Sequence, residues 1–302
     1  MKMQLYFMQT RSGLHCGIGQ GLSDIDLPVA KHSLTGHPLV PGTSIKGVLR
    51  DYFEETEEQE KFAAAFGGMQ KGKSDSASAL SFTDCQLICL PVRSYFGTYA
   101  HVASPQTLRL LKEEMLRAGY ENLPEIPHFA HPQDTTEYHS AVPQNSRLLR
   151  AGGKQLLLEE LDLLVDPDSQ KNADEWATLL AKELYPDDTE GQSFFHEGFV
   201  VVDNDVLDFL CETSLPVSAH NKIGENGVVE DGALWYEEYV PAETLFLGAV
   251  YGENGRGEKY HDLSAEALLD LVCSMPLSLQ VGGNATTGRG LVSLIFSQRR
   301  AK

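Results

Sequence analysis

Short stretches in which apolar residues alternate with polar ones, or follow one another without a break, predict the β-strands of this chain. These stretches are residues 2–10, 79–90, 91–99, 154–158, 199–202, 244–251, 277–281 and 291–296. A long hairpin is predicted over residues 215–239, with arms at 216–223 and 228–239 and a Gly-Glu-Asn-Gly turn between them. Strands are therefore expected along the whole chain.

Apolar residues that recur every three or four positions predict helices between these strands. The helical stretches are residues 43–53, 61–66, 105–118, 173–184, 204–211 and 264–274. Ser104 and Asp203 precede two of them as N-cap residues, and Gly119 follows as a helix terminator. Helices and strands thus share the chain.

The order of the first elements (strand, helix, strand, strand, helix) predicts the fold class. It favours an α+β fold with an antiparallel sheet and helices on one face, of the ferredoxin-like or RRM-like kind. We expect a single domain over residues 1–302. Two additions to it are predicted: an acidic insertion at 159–190 and a protruding β-hairpin at 215–239.

The composition is that of a globular protein. Of its 302 residues, 42% are hydrophobic, which is enough for a packed core. No run of about 18 uncharged apolar residues is present, and the apolar part of the N-terminus is too short for a signal peptide. We therefore expect a cytoplasmic protein with no membrane partner. The five cysteines are scattered without a C-x-x-C pair, which argues against a disulfide framework or a zinc ribbon.

Charge is distributed unevenly along the chain. The net charge of −19 argues at first against a nucleic-acid partner, because phosphate binding is driven by lysine and arginine. Residues 159–190, however, contain 11 acidic and two basic residues, a net −9. Residues 1–50 carry a net +3 and residues 276–302 a net +4. The two basic segments are also the two in which phosphate-binding patterns occur, although such differences also arise by chance.

One of these patterns is the turn and helix at residues 40–53. Free amides and the positive end of the helix dipole at Ser44 favour an anion, and Lys46 and Arg50 place two cations on one helical face. An ordinary capped amphipathic helix with solvated basic residues is the alternative.

The second pattern is a glycine-rich loop between the last two predicted strands. Four glycines among small polar residues let another backbone approach closely, as a phosphate cradle requires. The members of this loop are Gly282, Gly283, Asn284, Thr286, Thr287, Gly288, Arg289 and Gly290. The loop matches neither a Walker A motif nor a dinucleotide-binding fingerprint. A glycine-rich hairpin or a barrel corner is the alternative.

Candidate chemical groups lie in the long loop after the first strand. His15, Asp24 and Asp26 are the groups there that can ligate a divalent ion or move a proton near neutral pH, although a loop aspartate is more often a turn former. Arg93, among aromatic residues, and Lys222, on the hairpin, are candidate RNA contacts. The alternative is that the aromatic residues near Arg93 only pack against other parts of the protein, as aromatic residues on strands more often do.

Six motifs in a fixed order resemble a known family. They are PGTSIKGVLR at 41–50, LSFTD at 80–84, LPVRS at 90–94, LEEL at 158–161, ALWYEE at 233–238 and GGNATTGRG at 282–290. Together they resemble the RAMP-superfamily backbone subunits of the type III-B CRISPR effector, the Cmr complex. The likeness spans nearly the whole chain.

The resemblance implies a subunit that polymerises along a guide crRNA and cuts the paired single-stranded target RNA at regular intervals, with a divalent metal such as Mg²⁺ or Mn²⁺. It implies Asp26 as the catalytic and metal-binding carboxylate, and His15, Glu237 and Tyr239 near the cleavage site. Lys46, Arg50 and the 282–290 loop correspond to guide-backbone contacts, and the 215–239 hairpin to a thumb that kinks the duplex. Further copies of the chain and other Cmr subunits, including a small helical one, are the implied partners.

Two alternatives to a nuclease remain open. One is a non-catalytic guide-RNA scaffold in which Asp26 merely shapes its loop. The other is a free-standing phosphohydrolase that acts on small molecules.

Overall fold

The computed structural model describes residues 1–17, 19, 25–54, 59–67, 69–70, 73–74, 77–129, 137–150, 152–224, 226, 228–256 and 259–297. Asp24, one of the two loop aspartates, lies outside these residues. No helix within the described ranges is long and apolar enough to cross a membrane.

The strands in the described part of the chain occur where the hydrophobic pattern predicts most of them. They are β1 (Lys2–Thr10), β2 (Leu39–Val40), β3 (Met69–Gln70), β4 (Lys73–Ser74), β5 (Leu80–Phe82), β6 (Cys85–Arg93), β7 (Tyr99–Ala103), β8 (His139–Ala141), β9 (Gln155–Leu158), β10 (Leu161–Val165), β11 (Phe199–Val202), β12 (Val217–Ile223), β13 (Val229–Glu238), β14 (Leu245–Gly252), β15 (Leu277–Gln280) and β16 (Leu291–Phe296). The stretches predicted at 79–90 and 91–99 are divided differently, because a turn at 94–98 separates β6 from β7.

The predicted helices are also present, with small shifts of their ends. They are α1 (Gly42–Glu54), α2 (Gln59–Phe66), α3 (Pro105–Arg117), α4 (Gln170–Leu184), α5 (Thr189–Glu197), α6 (Asn204–Thr213) and α7 (Ala265–Cys273). The Ser104 side chain accepts a hydrogen bond from the Thr107 amide and so caps α3 as predicted. Helix α5 and strands β2, β3, β4, β8 and β10 were not predicted, because their apolar runs are short.

The main sheet is mixed rather than purely antiparallel. Its strand order is β15-β16-β1-β14-β6-β7-β11-β8-β10-β9, with β2 beside β6 and β5 beside β14. Most neighbours are antiparallel, but β7 with β11 and β8 with β10 are parallel pairs. The α+β class is therefore confirmed at the level of a large mixed sheet with helices, and the purely antiparallel arrangement is corrected.

Helices cover both faces of the sheet, so the prediction of helices on one face is wrong. Tyr6 and Met8 of β1 pack into one core cluster with residues of α1, α2, α6 and α7. Leu5 and Phe7, which alternate with them, pack into a second cluster with residues of α3, α4 and α5. The physical reason is visible in β11, where all four residues are buried: a strand without a polar face needs apolar cover on both sides.

The acidic segment 159–190 contributes to this fold instead of standing apart from it. Strand β10 pairs with β8 and β9. Trp176 and Leu180 of α4 are fully buried in the second cluster, and the Trp176 indole donates to the Glu125 carbonyl oxygen. The acidic residues of the segment thus belong to an amphipathic unit whose other side is core.

Candidate functional site

Strand β13 is the element around which the candidate site is built. With β12 it forms a two-stranded hairpin that lies outside the main sheet. Near the base of the hairpin, Leu27 pairs in parallel with Glu237, and Leu14 pairs antiparallel with Val240. Leu14 and Leu27 of the first loop therefore lie against the end of β13 and the residues that directly follow it.

Asp26, a residue of the first loop, lies against β13 and is exposed. Its Oδ2 accepts a hydrogen bond of 2.7 Å from the Tyr236 amide of β13. The flanking backbone is tied to the same strand, since the Leu27 amide donates to the Tyr236 carbonyl and the Glu238 amide donates to the Leu27 carbonyl. Asp26 is thereby oriented by a rigid element while its other carboxylate oxygen has no hydrogen bond within the described part of the chain.

Glu238 holds the chain that follows Asp26. Its carboxylate is buried, with 2% of the residue exposed. Its Oε2 accepts from the Val29 amide at 3.0 Å and its Oε1 from the Lys31 ammonium at 2.9 Å. This pair of contacts fixes the exit of the Asp26 loop on β13.

Glu237 points to the opposite side of β13 and is the centre of a buried polar cluster. We call the cluster the Glu237 network; its members are His15, His220, Glu237, Tyr239 and Asn284. Glu237 Oε2 accepts from the Tyr239 hydroxyl at 2.7 Å, and Oε1 accepts from the Asn284 side-chain amide at 2.7 Å. His15 Nε2 lies 3.5 Å from Oε1 and His220 Nε2 lies 3.3 Å from Oε2. Three separated parts of the chain therefore meet at one carboxylate.

Tyr239 is a hydrogen-bond donor in this network, not a base. Burial, followed by the hydrogen bond to Glu237 and the charge of that carboxylate, raises the pKa of Tyr239 to about 12. The Arg289 guanidinium lies over the Tyr239 ring, 4.2 Å from its centroid, and acts in the opposite direction. The phenol therefore keeps its proton at neutral pH and donates a hydrogen bond to Glu237.

The glycine-rich loop packs against the first loop through backbone contacts. The Gly283 amide donates to the His15 carbonyl oxygen and the Gly290 amide donates to the Gly13 carbonyl oxygen, both at 2.9 Å. Gly282 has φ +81°, and a Cβ there would collide with the His15 carbonyl oxygen. The close backbone approach predicted for this loop is thus present, with the first loop as the partner.

The outer part of the same loop faces solvent. Thr286, Thr287 and Gly288 are exposed around a 3₁₀ turn, Ala285–Thr287. Asn284 differs from them because its side chain points inward to Glu237. The loop therefore offers an outer polar surface and an inner anchor.

The start of helix α1 differs from the free anion site expected from the sequence. The Gly42 amide donates to the Asp84 carboxylate at 2.8 Å, so a side chain of the protein occupies part of this position. The Lys46 ammonium donates to the Ser78 hydroxyl at 2.8 Å and to the Leu80 carbonyl at 3.1 Å. Burial, and then the charge of Arg50, lowers the pKa of Lys46. Lys46 is thus committed to internal contacts.

The two basic segments nevertheless pack on the same face of the sheet. Ile45 of α1 and Val281, which immediately precedes the glycine-rich loop, belong to one core cluster. Ser44 and Arg50 are partly exposed on this helix. Arg93 is exposed at the end of β6, and Lys222 is exposed on β12. These four residues lie outside the Glu237 network.

Sequence reasoning missed the contributions of His220, Asn284 and Glu238 to this site. The alternation of the hairpin contains the signal for His220: Ser218 pairs with Glu237 and His220 with Trp235, so these side chains share one face. Nothing in the local sequence shows that Asn284 turns inward.

No group of three or more His, Cys, Asp and Glu side chains among the described residues is arranged to hold a metal ion.

Comparisons with known proteins agree on one family. The family model of the RAMP superfamily matches residues 7–293. The chain is 30% identical, over 99% of its length and 97% of the relative's, to the "CRISPR system Cmr endoribonuclease Cmr4" of Pyrococcus furiosus.

Solved structures show the same fold. The oligomeric Cmr4 from Pyrococcus furiosus superimposes with a TM-score of 0.71 at 24% identity, covering 100% of both chains. A chain of the type III-B Cmr-beta complex bound to cognate target RNA superimposes with a TM-score of 0.71 at 18% identity, covering 98% of this chain and 97% of the other.

Proposed function

The chain belongs to the RAMP superfamily, and we propose that it is a backbone subunit of a type III-B CRISPR complex that binds guide crRNA and cuts the paired target RNA. The observation that carries this proposal is the position of Asp26. Its exposed carboxylate accepts from a backbone amide of β13, one arm of the hairpin that lies outside the main sheet. The glycine-rich loop is tied to the same strand through Asn284.

The RNA-binding surface that we propose is built from these neighbouring segments. The exposed part of the glycine-rich loop offers backbone amides and hydroxyls to the guide backbone. Ser44, Arg50, Arg93 and Lys222 extend the surface with polar and cationic groups. We assign the thumb to the hairpin, because it lies outside the main sheet and exposes apolar side chains, such as Ile223 and Leu234, that can wedge between bases.

Cleavage beside a 2′-hydroxyl requires the attacking oxygen, the phosphorus and the leaving oxygen to lie in line. Regular A-form pairing does not provide that geometry, so we propose that the thumb displaces a target nucleotide and lets the strand adopt it. Asp26 then takes the proton of the attacking hydroxyl or holds the cation that assists its loss. His15, Glu237 and Tyr239 contact one another at β13, the strand to which Asp26 is bonded, and we assign them to the support of that strand.

A divalent metal, Mg²⁺ or Mn²⁺, is part of this proposal. Asp26 keeps one carboxylate oxygen available, and oxygen ligands are the kind these ions prefer. When bound, such an ion acidifies the attacking group and offsets charge at the phosphate. Asp26 would share the ion with RNA phosphate oxygens, since the described residues supply no three-ligand group.

The proposed partners are guide crRNA, single-stranded target RNA, further copies of this chain and other subunits of the complex, including a small helical one. The cytoplasm is the proposed compartment. All five cysteines are buried and unpaired, as expected where thiols remain reduced.

The test is the Asp26→Asn substitution in the assembled complex. Asparagine still accepts from the Tyr236 amide but loses the charge, so target RNA should bind unchanged and be cut at least about 100-fold more slowly. Cleavage is followed by single-turnover gel assays, with and without EDTA. Asp187→Asn, an exposed aspartate of another surface, is the matched control. Cutting at the original rate by Asp26→Asn would instead identify a non-catalytic scaffold, and cutting in EDTA would remove the metal from the proposal.

A further inference from the structure

The Glu237 carboxylate brings together segments that are far apart in the sequence. Its oxygens are held by Tyr239 of its own strand segment, by Asn284 of the glycine-rich loop and by the two histidines of the network. Only 4% of Glu237 is exposed. Because a buried carboxylate needs hydrogen-bond donors for both oxygens, each of these contacts constrains where its segment lies.

Asn284 provides the link to the glycine-rich loop. It is one of the non-glycine residues with positive φ, at φ +62° and ψ +29°. Its carbonyl oxygen accepts from the amides of Thr287 and Arg289, while its side-chain amide donates to Glu237. The residue therefore ties the turn of the loop to a buried acceptor, and its polar side chain is not on the outer surface.

His220 provides the link to the hairpin. Its Nε2 lies 2.8 Å from the Tyr239 hydroxyl, and its ring stacks on Trp235 at a centroid distance of 5.5 Å and an interplanar angle of 16°. Its side chain is 34% exposed, whereas those of His15 and Glu237 are 10% and 6% exposed. His220 is thus the most exposed of these three side chains, and it lies on the β12 arm of the hairpin that we propose as the thumb.

The network connects to Asp26 through one strand. Leu27 is the register partner of Glu237, and the amide that orients Asp26 belongs to Tyr236, the residue before Glu237. A displacement of β13 at Glu237 would therefore move the donor that aims the Asp26 carboxylate.

We propose that Asn284 and His220 are positioning residues: through Glu237 they hold the glycine-rich loop and strand β12 in place against β13, the strand to which Asp26 is bonded. The inference rests on the proposed nuclease function. It differs from the sequence prediction for Asn284, which placed this residue among the guide contacts.

The first test replaces the donor at residue 284 and keeps its backbone conformation. Asn284→Asp has nearly the same size and tolerates positive φ, but it presents a carboxylate to Glu237. We expect single-turnover cleavage by the saturated complex to fall about 10- to 100-fold, with guide and target affinities within about twofold of the original. Asn122→Asp, at an exposed asparagine with φ +54°, is the matched control and should cut normally.

The second test uses the hairpin arm. His220→Ala should slow cleavage, and His220→Gln should restore much of the rate, because a glutamine amide can again donate toward the Tyr239 hydroxyl. If His220 acts only by stacking its ring on Trp235, His220→Gln should cut as slowly as His220→Ala.

A third measurement does not depend on cleavage. Hydrogen exchange of the segment that contains the Tyr236 amide should be faster in Asn284→Asp than in the original chain, and unchanged in Asn122→Asp. Unaltered exchange together with an unaltered rate would overturn the inference, and so would a loss of RNA affinity in proportion to the rate. Failure of the nuclease proposal has a different signature, because Asp26→Asn then cuts like the original chain.

Discussion

Asp26 and Glu237 lie on neighbouring backbone segments, yet their carboxylates have different surroundings. Asp26 is exposed and has one oxygen bonded to a backbone amide. Glu237 is buried and has both oxygens occupied by side chains of the protein. A carboxylate whose partners are all internal is held in place, whereas an exposed one can meet RNA. Burial therefore separates the proposed reacting group, Asp26, from the proposed supporting group, Glu237, and the sequence alone does not distinguish the two acidic residues.

The raised pKa of Tyr239 gives a prediction for alkaline pH. An ordinary tyrosine in an unfolded chain loses its proton near pH 10, whereas Tyr239 in the folded chain does so at about 12. Between these values the unfolded state binds fewer protons than the folded state, so this residue lowers the free energy of unfolding as the pH rises. Its contribution is complete below about pH 10 and is lost as the pH passes its folded pKa.

The measurement is the near-ultraviolet absorbance of phenolate during an alkaline titration of the original chain and of Tyr239→Phe. The difference between the two curves should rise near pH 12. A difference that rises near pH 10 would show that the hydroxyl is not held by Glu237.

In the glycine-rich loop, an added methyl group is expected to have different effects at two of the glycines. Gly282 and Gly288 both have positive φ, but a Cβ at Gly282 meets the His15 carbonyl oxygen while a Cβ at Gly288 meets nothing within 4 Å. Gly288→Ala should therefore cost about 1 kcal/mol of backbone strain. Gly282→Ala should cost about 2–4 kcal/mol and weaken guide binding, because the loop has to leave the first loop.

Denaturant unfolding of the free chain and guide binding by the complex provide the two measurements for this pair. Equal destabilisation by Gly282→Ala and Gly288→Ala would contradict the close backbone contact at His15.

The periodicity of the sequence predicts most elements but not how they are covered. Strand β1, helix α3 and the hairpin were predictable because alternation, capping and the four-residue turn are local signals. The four consecutive apolar residues of β11 indicate burial on both faces. The ferredoxin-like fold, with helices on one face of the sheet, led to the opposite expectation. Trp176 among acidic residues indicated a packed face in the segment 159–190. The inward turn of Asn284 depends on a residue 47 positions away and has no local signal.

For the whole molecule, the position of charge matters more than its sum. The net charge of −19 disfavours RNA on most of the surface. Segments near the two ends of the chain pack on one face of the sheet, where Arg50 and the loop bearing Arg289 lie. Acidic α4 belongs to the opposite core cluster. We therefore expect RNA to contact the side of each subunit that carries Arg50 and the loop bearing Arg289.

If each subunit covers a fixed length of guide with this one side, the number of copies must follow the length of the guide. Complexes reconstituted on guides of increasing length should gain mass in steps of 33.2 kDa, measured by native mass spectrometry. Each added copy brings one more Asp26, so the number of cuts in a long target should rise by one with each step. A single copy on every guide would contradict this assembly, and equal steps without added cuts would indicate that only some copies reach the target strand.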